Sequence, residues 1–240
     1  MRRFVGHLGA VVALTVASPF VGSIVDLSPK DTLGAVSAQS VSEVIEGMYA
    51  AVERQAANVQ DYTLSQQAMG IDTYSYFEKE LVDGHPVFRL KMSDGAGFSF
   101  GLGGEDIGLG DVFVYGPKFV EHGIYAGKEQ LGNFTVHVIA VEGDAAAEIV
   151  PPRGPDQVEY RPRAVRLYVD EQMMVPRRIL LEGDAVIDAG PQPLSIQLDM
   201  QSILPIESML VPFKTTLLIA GMSVDVTVTE ILINAGRPSA

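Results

Sequence analysis

Between Ser40 and Val59 the apolar residues Val44, Ile45, Met48, Val52, Ala56 and Val59 recur every three or four positions, the period that lays side chains along one face of an α-helix. Ser40 followed by Glu43 has the form of a capping box, in which the two side chains satisfy backbone N–H groups of the first turn, and it predicts a helix over 41–59. From Asp61 onward the helical period gives way to strand-like runs separated by glycine, proline and acidic turns. About eleven such runs follow, over 62–69, 73–82, 86–92, 112–115, 119–126, 133–142, 163–170, 175–182, 194–204, 211–220 and 223–234. Strands at this spacing without intervening helices predict an antiparallel meander, closed or nearly closed into a barrel.

Individual runs say which faces are wet. In LSIQLDMQ, Leu194, Ile196, Leu198 and Met200 face one way and Ser195, Gln197, Asp199 and Gln201 the other, so that strand has one solvated face. FKTTLLIAG becomes apolar on both faces, so Leu217, Leu218 and Ile219 need cover on two sides, and the N-terminal helix is the element available to supply it. Asp83-Gly84 and Ala220-Gly221 are tight reversals between strands. The stretch 143–162 holds four prolines and no strand period, which predicts a long surface loop.

The segment Arg166 to Asp184 is the densest in acids and bases, yet it alternates in two halves. Val165, Leu167 and Val169 oppose Arg166, Tyr168 and Asp170; Arg177, Ile179 and Leu181 oppose Arg178, Leu180 and Glu182. This is a hairpin, with Pro176 at a strand start where no N–H is required. Asp170 or Glu171 opposite Arg177 or Arg178 is then expected to be an edge ion pair, worth less than about 1 kcal/mol. Arg177 and Arg178 remain candidates for contact with a ligand headgroup or a partner carboxylate.

The N-terminus and the composition set the compartment. Arg2 and Arg3 precede an uncharged apolar run from Phe4 to Val25, and Val36-Ser37-Ala38 offers a cleavage site, so 1–38 reads as a secretory signal, with an uncleaved anchor as the alternative. The remainder, 39–240, is one domain. With no cysteine there is no disulfide, thiolate metal site or thiol nucleophile, which in an exported chain points to a bacterial envelope. The whole chain carries net charge −13, and the part after Ala38 carries −14. Such acidity repels phosphate backbones and anionic headgroups, excluding nucleic acid as a partner and favouring a basic one.

A capped helix running into ANVQDYTLSQQ, strands thereafter, LYVDEQMMVPRRILLEGD and a terminal hairpin together resemble the periplasmic lipoprotein-carrier superfamily, LolA-like and LolB-like, with RseB-type sensor domains as relatives. The resemblance covers most of 40–235. It implies a mainly β fold with an N-terminal α-helix: a strongly curved, unclosed antiparallel half-barrel of about eleven strands, with a helical lid over an apolar cavity for acyl chains. In the carriers an arginine of an early strand helps fasten the lid; here TYSYFEKELV offers Lys79 between Glu78 and Glu80. Burying each methylene gains roughly 0.8 kcal/mol, so a cavity is all the chemistry such a carrier needs.

Cavity and lid candidates are Val44, Ile45, Met48, Val52, Phe88, Leu90, Val136, Val138, Leu198, Met200, Leu217 and Ile219. Each residue type fills an ordinary core equally well. Other constellations are weaker. The glycines of Phe98 to Asp111 fit neither phosphate-loop pattern, no lysine follows, and three acids intervene, so a rim or lid loop is expected there. His85, His122 and His137 fall in separate segments without metal-ligand spacing. No nucleophile elbow is present, and Glu182, Asp184 and Asp188 read as turn acids. The expectation is a monomeric, non-enzymatic periplasmic protein without cofactor or metal. Its partner is a lipid or acylated lipoprotein, with a basic envelope protein as a further one. A sensor domain of the RseB type, holding a membrane signalling partner, is the alternative.

Overall fold

The computed structural model describes residues 38–93, 112–150, 159–187 and 190–238. The segment expected to be a secretory signal, up to residue 37, and the glycine-rich stretch 98–111 lie outside the described residues. Helix α1, Ala38–Ala56, is followed by strands β1 (Asp61–Ala68), β2 (Ile71–Val82) and β3 (His85–Ser93). Helix α2 (Val112–His122) leads to β4 (Ile124–Leu131) and β5 (Phe134–Glu142), then a 3-10 turn at Gly143–Ala145 and a short helix α3, Ala146–Ile149. The chain ends in β6 (Glu159–Asp170), β7 (Pro176–Ile187), β8 (Gly190–Ile206), β9 (Met209–Ile219) and β10 (Met222–Ile233).

All ten strands form one antiparallel sheet in the order β3-β2-β1-β10-β9-β8-β7-β6-β5-β4. It is not closed: among the described residues β3 and β4 are its two edges, making an open half-barrel. Two meanders, β1–β3 and β4–β10, are joined by the pairing of β1 with β10, where Tyr62 faces Ile233 and Asn234 N–H donates to Asp61 O. Asp83 and Gly84 both have positive φ, as do Ala220 and Gly221, the backbone that two-residue hairpins require.

Three expectations are corrected. The helix begins at Ala38, so the Ser40–Glu43 pair lies inside it rather than capping it. The run 112–115 and the start of 119–126 are not strands but helix α2, leaving ten described strands rather than eleven. Val112, Tyr115, Gly116 and Phe119 are buried on it at helical spacing, a stripe that packing rewards more than the β-propensity of Val-Phe-Val-Tyr. Just past α2, Gly123 donates its N–H to Phe119 O at 2.8 Å in a conformation that only glycine fits, since a Cβ there would lie 2.1 Å from the same oxygen. The expected loop over 143–162 holds the 3-10 turn and α3, whose Ala146 and Ile149 are buried, and its end belongs to β6.

Candidate ligand-binding site

The sheet has a helix-covered inner face. Ile139, Leu167, Ile179, Leu198 and Leu217 are direct cross-strand partners across β5 to β9, and Val141, Val165, Leu181, Ile196 and Ile219 form a second such row. Both rows join one hydrophobic cluster with Val41, Val44, Ile45 and Met48 of α1 and with Val112, Phe113, Tyr115 and Phe119 of α2. Helix α1 packs on α2, on both edge strands β3 and β4, and on β9, so it bridges the opening between the two edges.

The cover is fastened at several points. His85, first residue of the β3 edge, stacks on Phe113 of α2 at 4.5 Å and on Tyr49 of α1 at 5.8 Å, and its Nδ1 lies 3.1 Å from Glu53 Oε1. Tyr49 in turn stacks on Phe113 at 4.8 Å. The close approach of the helices depends on Gly116, where a Cβ would meet the Tyr49 hydroxyl at 2.4 Å. At the C-terminal end, Lys79 Nζ donates to Ala56 O at 3.0 Å, satisfying a terminal carbonyl with a cation where the helix dipole is negative. The β8–β9 hairpin reaches the same end: Ser208 Oγ donates to Gln55 O and Leu210 N–H to Gln55 Oε1.

Of the cavity candidates, Val44, Ile45, Met48, Leu198 and Leu217 lie in this main cluster, with Val52, Met200 and Ile219 packed against it. Val136 and Val138 do not face that space. They pack with Tyr168, Leu131 and Leu180 in a separate cluster on the outer face, since Val138 pairs with Tyr168 whereas Ile139 pairs with Leu167. Phe88 packs edge-on against Tyr62, which stacks on Phe77, and Leu90 is half-buried opposite Phe77.

The hairpin of β6 and β7 forms as the alternation predicts, but its ion pair is not an exposed edge pair. Val169 pairs with Pro176 and Tyr168 with Arg178, so Arg177 is the extra residue of a bulge. Its Nε donates to Asp170 Oδ2 at 2.9 Å with both side chains 4 % exposed, and its guanidinium lies 3.8 Å over the Phe134 ring. Burial pushes the Asp170 carboxyl up, but hydrogen bonds from Met173 N–H, Arg177 and Gln172 N–H outweigh it and hold its pKa below the usual carboxylate range. Glu171 pairs instead with Lys128, and Arg178 with Asp199, its Nη2 at 3.0 Å from Oδ2. Arg177, Arg178, Phe134, Leu131 and Met200 line an open groove of about 410 Å³, so both arginines reach a surface cleft with their charges already met.

A second pocket, about 270 Å³, lies where α1 passes the β4 edge and is lined by Glu43, Val44, Tyr125, Lys128, His137 and Met174. Sequence reading missed it, because its residues come from α1, β4, β5 and the β6–β7 turn. The three histidines stay apart: His85 in the aromatic stack, His122 beside Glu121 and Glu148, His137 on Tyr125. Among the described residues no three potential ligands gather at a metal-sized site, and no helix is long and apolar enough to cross a membrane.

No protein-family model matches the sequence, and no curated protein does. Solved structures do match. The chain is similar to a structure from Vibrio parahaemolyticus that its name gives as an outer membrane lipoprotein-sorting protein domain, with 9 % identity and a TM-score of 0.50 over 84 % of this chain and 95 % of that one. It is also similar to a DUF1329 family protein from Desulfovibrio piger, at 12 % identity and TM-score 0.47 over 82 % and 95 % of the two chains. A LolA superfamily protein from Nitrosomonas europaea matches at 12 % identity and TM-score 0.40 over 85 % and 96 %. The ten-stranded half-barrel with its helical cover thus has the fold of that lipoprotein-sorting protein domain.

Proposed function

We propose that the protein is an exported, non-enzymatic binder of the bacterial envelope, which holds the acyl chain of a lipid or of an acylated lipoprotein between the inner face of the sheet and its helical cover. The observation that carries this reading is the nature of the cover. Among the described residues, two rows of aliphatic side chains from five strands are closed off by α1 and α2 and not by a second sheet. Moving a helix opens that apolar interior without breaking any strand ladder, and each methylene that enters in its place gains roughly 0.8 kcal/mol. The shared fold supports the reading, and so does the N-terminal signal pattern, since cleavage after Ala38 leaves the helix intact from Gln39. The net charge of −14 after that cleavage suits a basic envelope protein as the partner that delivers or receives the cargo.

Protein purified from an envelope fraction without detergent, extracted with organic solvent and analysed by mass spectrometry, is expected to release an acyl lipid in near-stoichiometric amount. Repeated extracts containing no acyl species above those of a control protein would overturn the proposal.

A further inference from the structure

The pocket at the crossing of α1 over the β4 edge has two ends of different chemistry. Its inner wall is Val44, 4 % exposed and part of the main cluster, together with Met174, which packs against that cluster. The rest of its lining is polar. The Tyr125 hydroxyl lies 2.9 Å from His137 Nδ1, the Lys128 ammonium is paired with Glu171, and Glu43 contributes a carboxylate. A volume of about 270 Å³ falls just under the roughly 300–1,000 Å³ of ordinary small-molecule sites. It has room for a polar head but not for a long acyl chain as well, so the chain would continue past Val44 along the seam of α1, beside Ile45 and Met48.

Charge narrows the class of head. Lys128 is paired with Glu171, and burial, together with the nearby Lys128 ammonium, holds the His137 pKa below the usual imidazole range. Glu43, exposed at the rim of the pocket and without an ion-pair partner among the described residues, adds a negative charge that disfavours a carboxylate or phosphate head. What the pocket presents is hydrogen-bonding capacity without net positive charge, one ammonium standing against the carboxylates of Glu171 and Glu43. We propose that it takes the uncharged, hydroxyl-bearing head of a single-chain acylglycerol, with the acyl chain beneath α1; this rests on the acyl-binding reading above.

Isothermal titration of the chain beginning at Gln39 with monopalmitoylglycerol and with palmitate, each below its self-association concentration, tests the assignment. The wild type is expected to bind the glyceride about tenfold more tightly than the anion. Tyr125→Phe should weaken the glyceride by about three- to tenfold, the size of one lost hydrogen bond, and leave palmitate unchanged. Glu43→Lys should erase or invert the preference, and Glu43→Gln, which removes only the charge, should reduce it. The ratio of the two affinities is the readout, so partial unfolding of a variant, which lowers both together, does not imitate the effect. Equal binding of both probes, or a ratio unchanged in all three variants, overturns the head site while leaving acyl binding intact. Failure of the wild type to bind either probe removes the acyl reading and this assignment together.

Discussion

Replacing Asp170 by asparagine is expected to cost the fold about 3–5 kcal/mol, the range for removing one member of a buried ion pair. The reason lies in the β6–β7 bulge. Asp170 accepts from Arg177 Nε and from the N–H groups of Gln172 and Met173, so it holds the hairpin turn and neutralises a guanidinium buried beneath Phe134. Asparagine keeps an acceptor but leaves the cation without a counter-charge. For a domain of this size the loss corresponds to a fall in Tm of roughly 6–20 °C. The pH dependence has a definite sign. Because the folded pKa of Asp170 lies below the ordinary 3.8, its stabilisation is present above that value and is lost as pH falls through the folded pKa. The difference between wild type and variant in urea denaturation should therefore be full at pH 7 and close in strong acid. A variant within about 0.5 kcal/mol of wild type at pH 7, the scatter of neutral surface substitutions, would show that the pair contributes nothing.

Met48→Asp has the second large effect, on binding more than on the sheet. Met48 is 3 % exposed on the α1 stripe that meets the inner face. An unmatched polar group there costs roughly 2–7 kcal/mol. The strands are held by their own ladders from β3 round to β4, and α1 by side-chain packing and a few contacts at its C-terminal end. Helix α1 is therefore expected to detach while the far-UV signal of the sheet persists, and binding of a fluorescent acyl probe should fall by much more than the shift in Tm accounts for. Cooperative unfolding of the entire domain would make α1 plain core; unchanged probe binding would remove it from the site.

Most of the sheet was legible because most strands have one wetter face. In β6, β7 and β8 the alternation of Val165, Leu167 and Val169, of Ile179 and Leu181, and of Ile196 and Leu198 reports the inner face directly. The signal fails where both faces are covered. In β5, Val136 and Val138 are as apolar as Ile139 and Val141, and only the partnership of Val138 with Tyr168 on the outer face separates them. Helix α2 was misread because Val112 to Tyr115 are strand formers and Gly116 and Pro117 look like a break, although Val112, Tyr115, Gly116 and Phe119 carry a helical period. The pairing of β1 with β10 has no local signature at all, being fixed by closure of the two meanders on one another. At the candidate site the α1 stripe and the inner-face residues could be read from the sequence. The bulge that buries Arg177, and the pocket assembled by Glu43, Tyr125, Lys128 and His137, depend on register and could not.

The central claim is that an acyl chain lies between α1 and the inner face of β5 to β9. Photolabelling with a fatty acid that carries a diazirine along its chain, followed by proteolysis and mass spectrometry, tests it most directly. Label is predicted on α1 around Ile45 and Met48 and on the inner-face residues Leu198 and Leu217, and it should be competed away by unlabelled lipid. Competable label confined to the outer face around Val138, Tyr168 and Phe134, or no competable label at all, would contradict the account.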